Sequence, residues 1–309
     1  MTIVVAVDGE RTPDQPLAVA AALAEQFDEE LVAVHVMPQG RFEAIQRSMD
    51  GETRDIVALT AYPAFTESPR EQPSTRYTVD QAQDDAEVAL KQIVEDTLGA
   101  GSGVVRQGRV GDVVTQLVEE AKRRDARYLV IGGRKRSPVG KAVFGSVTQS
   151  LLLNAERPVI TVPELDGDWA PPSGAPVVAG VDRSDRATTV VREAEQLADA
   201  LDRPLHVVHV WSPGETDQGE DPADDDAKRE LAQATAEAAA AVLTGEATAV
   251  GLVGPPSRRL LEYAEDQDAA CIVAAGRSRS PVGKVLFGSV TQSVLLSADR
   301  PVLTMMGED

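Results

Sequence analysis

Two stretches of this chain concentrate positive charge where the rest of the sequence concentrates negative. From Gly132 through Ala155 there is no aspartate or glutamate, yet Arg134, Lys135, Arg136 and Lys141 occur; from Ala269 through Ala298 there is again none, with Arg277, Arg279 and Lys284. Both stretches are rich in glycine: Gly132, Gly133, Gly140 and Gly145 in the first, Gly276, Gly283 and Gly288 in the second. Each feeds a segment expected to begin a helix, at Gly145-Ser146 or Gly288-Ser289. Glycine lets backbone amides approach an anion closely, and the free amides and dipole of a helix N-terminus favour negative charge. Holding a phosphate is the chemistry such residues can do.

Blander readings stay open beside this one. Ser146 with Gln149, and Ser289 with Gln292, fit a capping box in which the serine satisfies only its own helix. The arginines also fit solvated charges balancing an acidic surface. Asp8 and Asp182, expected at the ends of strands, fit caps of the next helices. Other chemistries are narrowed by spacing. A P-loop needs Ser or Thr after its lysine, but Ala142 follows Lys141 and Val285 follows Lys284. No G-x-G-x-x-G follows either first strand. The three histidines, His35, His206 and His209, fall in or next to expected strands and read as satisfied structural imidazoles rather than general bases. Cys271 reads as a buried small hydrophobe.

The elements that must position these residues come in duplicate. The segments Gly132–Thr161 and Ala275–Thr304 are identical at 22 of 30 positions at an offset of 143. At the front of each half, Val4–Glu10 answers Val177–Ser184 through Asp8 and Asp182, here at an offset of 174. The first half therefore carries about 31 extra residues, 174 minus 143, within roughly 37–78. That stretch reads as a surface insertion or a long functional loop. Residues 164–175, acidic and rich in Pro and Gly, read as a linker. The expected domains are 1–163, with the 37–78 loop, and 176–309.

Short apolar runs alternate with amphipathic, alanine-rich segments, the pattern of an α/β chain. In the first half, strands are expected at Ile3–Val7, Leu31–Val36, Gly103–Gln107, Arg127–Ile131 and Pro158–Val162, with counterparts in the second. Helices are expected at Pro13–Phe27, Asp80–Leu98, Asp112–Arg124 and Ser146–Asn154. The predicted fold is α/β: two tandem Rossmann-like, doubly wound domains, each with a mainly parallel five-stranded sheet. Ligands of such sheets sit outside the carboxyl ends of the strands where strand order reverses, so Asp8, Val36 and the segment after Ile131 should share one crevice.

The chain has 309 residues and a formal net charge of -20, from 30 basic and 50 acidic residues. That field repels nucleic acid and anionic membrane, and nucleic acid is not an expected partner. No run of 18 apolar residues and no basic signal-peptide start is present, giving the expectation of a cytoplasmic protein without membrane insertion. Six lysines among the 30 basic residues, on so acidic a chain, suit a halophilic source. The single cysteine excludes an intramolecular disulfide.

The pattern resembles the universal stress protein family in a tandem, two-domain form. Nucleotide-binding members carry Gly, two residues, Gly, nine residues, then Gly-Ser or Gly-Thr. Gly132 and the Gly145-Ser146 pair have that spacing, while Lys135 replaces the middle glycine; in the second half Gly288-Ser289 match, while Ala275 and Ser278 stand at the earlier glycines. The resemblance implies an adenine nucleotide alpha hydrolase-like fold and binding of ATP or another adenine nucleotide, with Mg or Mn accompanying it. It implies that Asp8 and Asp182 meet the ribose side and help hold the metal. Val36 and Val210 would lie against adenine, and Ala6 near it. Ile131, Gly132, Gly133, Gly140, Gly145, Ser146 and Val147 would surround the phosphates, as would Gly276, Gly283, Gly288, Ser289 and Val290. Arg134, Arg136, Arg277 and Arg279 are expected to neutralise phosphate where a glycine amide is lost. The last strands, Pro158–Val162 and Pro301–Met305, would pair with each other, making one chain a pseudo-dimer, with a homo-oligomer possible. The expected function is that of a non-catalytic stress-response or regulatory module; a nucleotide-free interaction protein and a slow ATP hydrolase are the alternatives.

Overall fold

The computed structural model describes residues 1–8, 14–49, 77–136, 142–164, 169–212, 224–279 and 285–306. Its contacts divide the chain into two compact units, Met1–Gly132 with Ser146–Arg157, and Gly133–Gly145 with Pro158–Asp309.

In the first unit the apolar runs become β1 (Thr2–Ala6), β2 (Glu30–Pro38), β3 (Val105–Gly111) and β4 (Ala126–Gly132). They lie in the order β4-β1-β2-β3, all parallel, with Val4 opposite Val32 on one side and Leu129 on the other. Ile3, Val4, Val5, Val32, Leu129 and Val130 are all fully buried, as expected of strands covered on both faces. The helices are α1 (Gln15–Phe27), α2 (Gln39–Met49), α3 (Val79–Leu98), α4 (Val113–Arg123) and, after an excursion of the chain, α5 (Ser146–Asn154). Asp14 caps α1 by accepting from the Leu17 amide, and Thr78 and Gln81 form a reciprocal capping box on α3. Strand order reverses between β1 and β4.

The second unit repeats the design. Its elements are β8 (Val177–Val181), α6 (Arg186–Ala200), β9 (Leu205–Trp211), α7 (Asp225–Ala240), β10 (Ala247–Val253), α8 (Pro256–Asp266), β11 (Cys271–Arg279), β12 (Val285–Phe287), α9 (Ser289–Ser297) and β13 (Val302–Met306). The parallel order is β10-β9-β8-β11-β13, reversing between β8 and β11. A further strand, β7 (Val159–Val162), joins β13 antiparallel, with Thr161 opposite Val302 and Val159 opposite Thr304. Also counted with this unit is a small antiparallel hairpin, β5 (Arg134–Arg136) with β6 (Ala142–Phe144).

The architecture is thus α/β with a mostly parallel sheet, but the count of five strands per domain is corrected. The first unit holds four described strands in its sheet. In the second, six lie along the sheet and β12 pairs with the end of β11; the count is uneven because β7, the last strand of the first repeat, falls with the second unit. The 37–78 insertion is not all loop. Its residues 39–49 form α2, whose Phe42 and Ile45 pack with Met37, Tyr77 and Ala82; residues 50–76 lie outside the described ones. The described part of the linker is tied to the second unit. Trp169 Nε1 donates to the Ala270 carbonyl across 3.1 Å, and Arg203 donates to the carbonyls of Pro171 and Pro172.

Candidate functional site

Aspartate follows β1 and β8, two residues on at Asp8 and directly at Asp182, at the point where strand order reverses. The alternative that Asp8 and Asp182 cap the next helices is overturned: Asp14 caps α1, and Asp185 stands at the N-cap of α6. Asp8 is exposed. Asp182 is also exposed and accepts from the Ser184 amide at 3.0 Å and from the Ser184 hydroxyl, with Arg186 Nη2 at 3.4 Å. This is a local turn two residues long, at the surface.

Val36 and Val210 sit on the neighbouring strands at 6% and 7% exposure, one residue after buried His35 and His209. His35 Nδ1 lies 2.8 Å from the Val7 carbonyl oxygen, and His209 Nδ1 lies 2.9 Å from that of Val181. Burial holds the His35 imidazole below its ordinary value of 6.5; the Val7 carbonyl opposes this, Arg41 on α2 reinforces it and Asp8 opposes it. Inserted helix α2 therefore brings a cation into the electrostatic neighbourhood of His35. The reading of these histidines as satisfied structural imidazoles agrees with this geometry, and His206 likewise pairs with the Tyr263 hydroxyl at 2.9 Å. Cys271 is buried with its thiol pushed up to about 12, an inert group at neutral pH.

Ile131 is buried near the end of β4, and Gly132 is exposed. Gly133 has a structural task that its sequence context does not reveal. Its amide donates to the Val162 carbonyl at 2.6 Å, and a Cβ there would stand 2.8 Å from that same oxygen. Its repeat mate Gly276 lies at a register shift in β11 between Ala275 and Arg277. Gly276 thus marks an irregularity in the ladder, and the Gly133 amide is already spent on Val162.

Neither glycine leads into an open loop. Arg134 and Arg136 lie in β5, and Arg277 and Arg279 in the end of β11, each the arm of a short antiparallel hairpin. Gly140 and Gly283 lie outside the described residues. Beyond the hairpins come the helix starts. Gly288 is the N-cap of α9, at φ -60 and ψ 147, with no side-chain cap; Ser289 is already inside the helix. The capping-box reading of Ser289 is thereby overturned. A Cβ added at Gly145 or at Gly288 would meet nothing within 4 Å. Ser146, Ser289 and the valines after them, Val147 and Val290, are exposed, the valines at 39% and 38%.

Two threonines hold these helix starts to the strand ends. Thr148 Oγ1 donates to the Gly132 carbonyl at 3.1 Å, and Thr291 Oγ1 to the Ala275 carbonyl at 2.7 Å. Since β4 neighbours β1 and β11 neighbours β8, each helix N-terminus stands over the strand beside the one that ends in Asp8 or Asp182. Sequence reasoning missed both threonines, although they occupy matching places in the repeat.

Among the described residues no group of three or more His, Cys, Asp or Glu could hold a metal ion. One exposed carboxylate per unit fits an ion carried mainly by phosphate oxygens. Arg109, opposite Val36 in the ladder, is taken by another partner. Its Nη2 and Nε lie 2.7 and 3.1 Å from Glu120, a fully buried carboxylate that also binds Arg123 and, at 2.5 Å, Arg124.

Comparison with known proteins gives a consistent picture. A sequence model of the "Universal stress protein family" matches residues 50–163 and 175–305. A universal stress protein of Mycobacterium tuberculosis (strain ATCC 25618 / H37Rv) is 31% identical over 224 residues, covering 70% of this chain and 73% of that one. The crystal structure of a universal stress protein from Archaeoglobus fulgidus DSM 4304 superposes with a TM-score of 0.64 at 15% identity, over 99% of this chain and 98% of that one, a likeness of fold. The universal stress protein from Archaeoglobus fulgidus in complex with dAMP is 26% identical, with a TM-score of 0.31, covering 43% of this chain and 98% of that one. Among the described residues, no helix is long and apolar enough to cross a membrane.

Proposed function

The chain belongs to the universal stress protein family, and on that premise we propose that each unit binds an adenine nucleotide, ATP first, as a regulatory rather than catalytic module. The observation that carries this reading is the glycine at each helix start. Gly288 has φ -60, a conformation any residue adopts, and neither Gly145 nor Gly288 is crowded by the fold. Among the described residues nothing demands glycine there, and at Gly288 a side-chain cap worth about 1 kcal/mol is forgone. Bare amides at a helix N-terminus are what a phosphate requires.

The rest of the arrangement agrees. Asp8 and Asp182 would take the ribose hydroxyls, Val36 and Val210 would pack against the base, and Ser146 and Ser289 would donate to phosphate oxygens. In the second unit Arg277 and Arg279, on their hairpin arm, would supply charge to the far phosphates. A divalent ion, Mg or Mn, would screen the phosphates when bound, with one carboxylate of each unit beside it.

The test is direct. Purified full-length protein is denatured and the released small molecules identified by mass spectrometry, and the ligand-stripped protein is titrated calorimetrically with Mg-ATP. Released adenine nucleotide or saturable binding is the expected result; neither, with folded protein, would end this reading.

A further inference from the structure

In each unit one buried histidine grips the backbone immediately before the strand-end aspartate. His35 reaches from β2 to the carbonyl of Val7, and His209 from β9 to the carbonyl of Val181, each across 28 residues of sequence, at 2.8 and 2.9 Å. A carbonyl oxygen only accepts, so in both rings Nδ1 carries the proton and donates. The Val7 amide is held as well, donating to the Val34 carbonyl at 2.9 Å. The peptide plane between Val7 and Asp8 is thereby fixed at its oxygen, and the same holds between Val181 and Asp182. Burying an imidazole costs free energy that an aliphatic side chain would not cost in a strand otherwise mostly apolar. The contact is present twice, although the two units differ nearby: among the described residues only the first has α2, with Arg41, after its second strand.

We propose that His35 and His209 are positioning residues, which fix the peptide entering Asp8 and Asp182 and so aim those two carboxylates at the ligand. This rests on the nucleotide reading for the identity of that ligand, but not for the contact itself.

The test uses two neutral amides in the full-length chain. Asparagine puts its side-chain nitrogen where Nδ1 stands; glutamine puts it where Nε2 stands. His35→Asn and His35→Gln, with the same pair at His209, are compared by backbone NMR shifts of the ligand-free protein and by calorimetric titration with Mg-ATP. His35→Gln is expected to move the Val7 and Asp8 resonances and to weaken ATP binding at that site about tenfold. His35→Asn is expected to keep both close to wild type. Equal behaviour of the two variants, whether both intact or both impaired, overturns the proposal. Should wild type bind no ATP, the nucleotide reading falls by itself. The resonances then decide the positioning role: moved by glutamine and spared by asparagine they uphold it, unmoved by either they overturn it.

Discussion

Thr291 Oγ1 donates to the carbonyl of Ala275 across 2.7 Å, fastening the first turn of α9 to β11. Thr291 is 7% exposed and the bond is part-buried, so removing the hydroxyl leaves a half-buried carbonyl without it. Thr291→Val is expected to lower unfolding free energy by about 2 kcal/mol in urea titrations, with Thr291→Ser near wild type. Thr148→Val, at the less buried mate with a 3.1 Å bond, should cost about 1 kcal/mol. An unchanged urea midpoint for Thr291→Val would show that the bond does not hold the helix start.

Gly288→Asp separates stability from binding. A carboxylate at an N-cap accepts from first-turn amides and suits the helix dipole, so the variant should gain about 0.5 kcal/mol. The same carboxylate would stand where phosphate is proposed, so ATP affinity at that unit should fall at least about tenfold. Thermal melts and calorimetry on one preparation read both signs; a stabilised variant with undiminished affinity would count against a phosphate at this place.

Glu120 serves three arginines from a fully buried position. Glu120→Gln leaves Arg109, Arg123 and Arg124 crowded without their shared carboxylate. Its expected cost is about 3 kcal/mol, measured by urea unfolding, because breaking a buried pair from one side uncovers a charge. A cost under about 1 kcal/mol would mean that solvent screens the cluster after all.

Acid should weaken the fold in two steps. His35 and His206 are both held below 6.5 by burial, so the unfolded chain takes up their protons first. Their contribution is complete above 6.5 and is lost as pH falls toward the lower folded values. Carboxylates such as Glu195, held down by the Gly245 and Thr244 amides, act only below their ordinary 4.5. Melting temperature should therefore already decline as pH falls below 6.5, before the carboxylates act, and His35→Asn should shrink that decline. A flat profile there for wild type would contradict the burial of these rings.

Much of the scaffold was legible because its signals are long. Parallel strands buried on both faces write themselves as apolar runs, and the expected starts and ends fall within about two residues of β1, β2, β4, α1, α3, α4 and α5. Short or distant relations were not legible. The arms of β5-β6 are three residues each, too brief for alternation to register. Helix α2 buries chiefly Phe42 and Ile45, and the Tyr77 they pack on comes from the far end of the insertion. The capping alternative for Asp8 and Asp182 stayed open because an aspartate ahead of a helix is often a cap; only the structure shows Asp14 and Asp185 standing there instead. The partners of His35 and His209 were hidden for the same reason, since a strand pattern names which residues are inside, not which carbonyl they meet.

The antiparallel seam of β7 on β13 bears on how such a gene can be cut. A polypeptide begun at the duplication boundary, after Val162, would keep every element of the second repeat yet lose the neighbour of its outermost strand. Val302, Leu303 and Thr304 would then present bare amides and carbonyls along an apolar rim, and a sibling molecule's β13 would be the readiest match. The half-gene product should therefore dimerise through a strand that, in the uncut protein, its own predecessor already occupies.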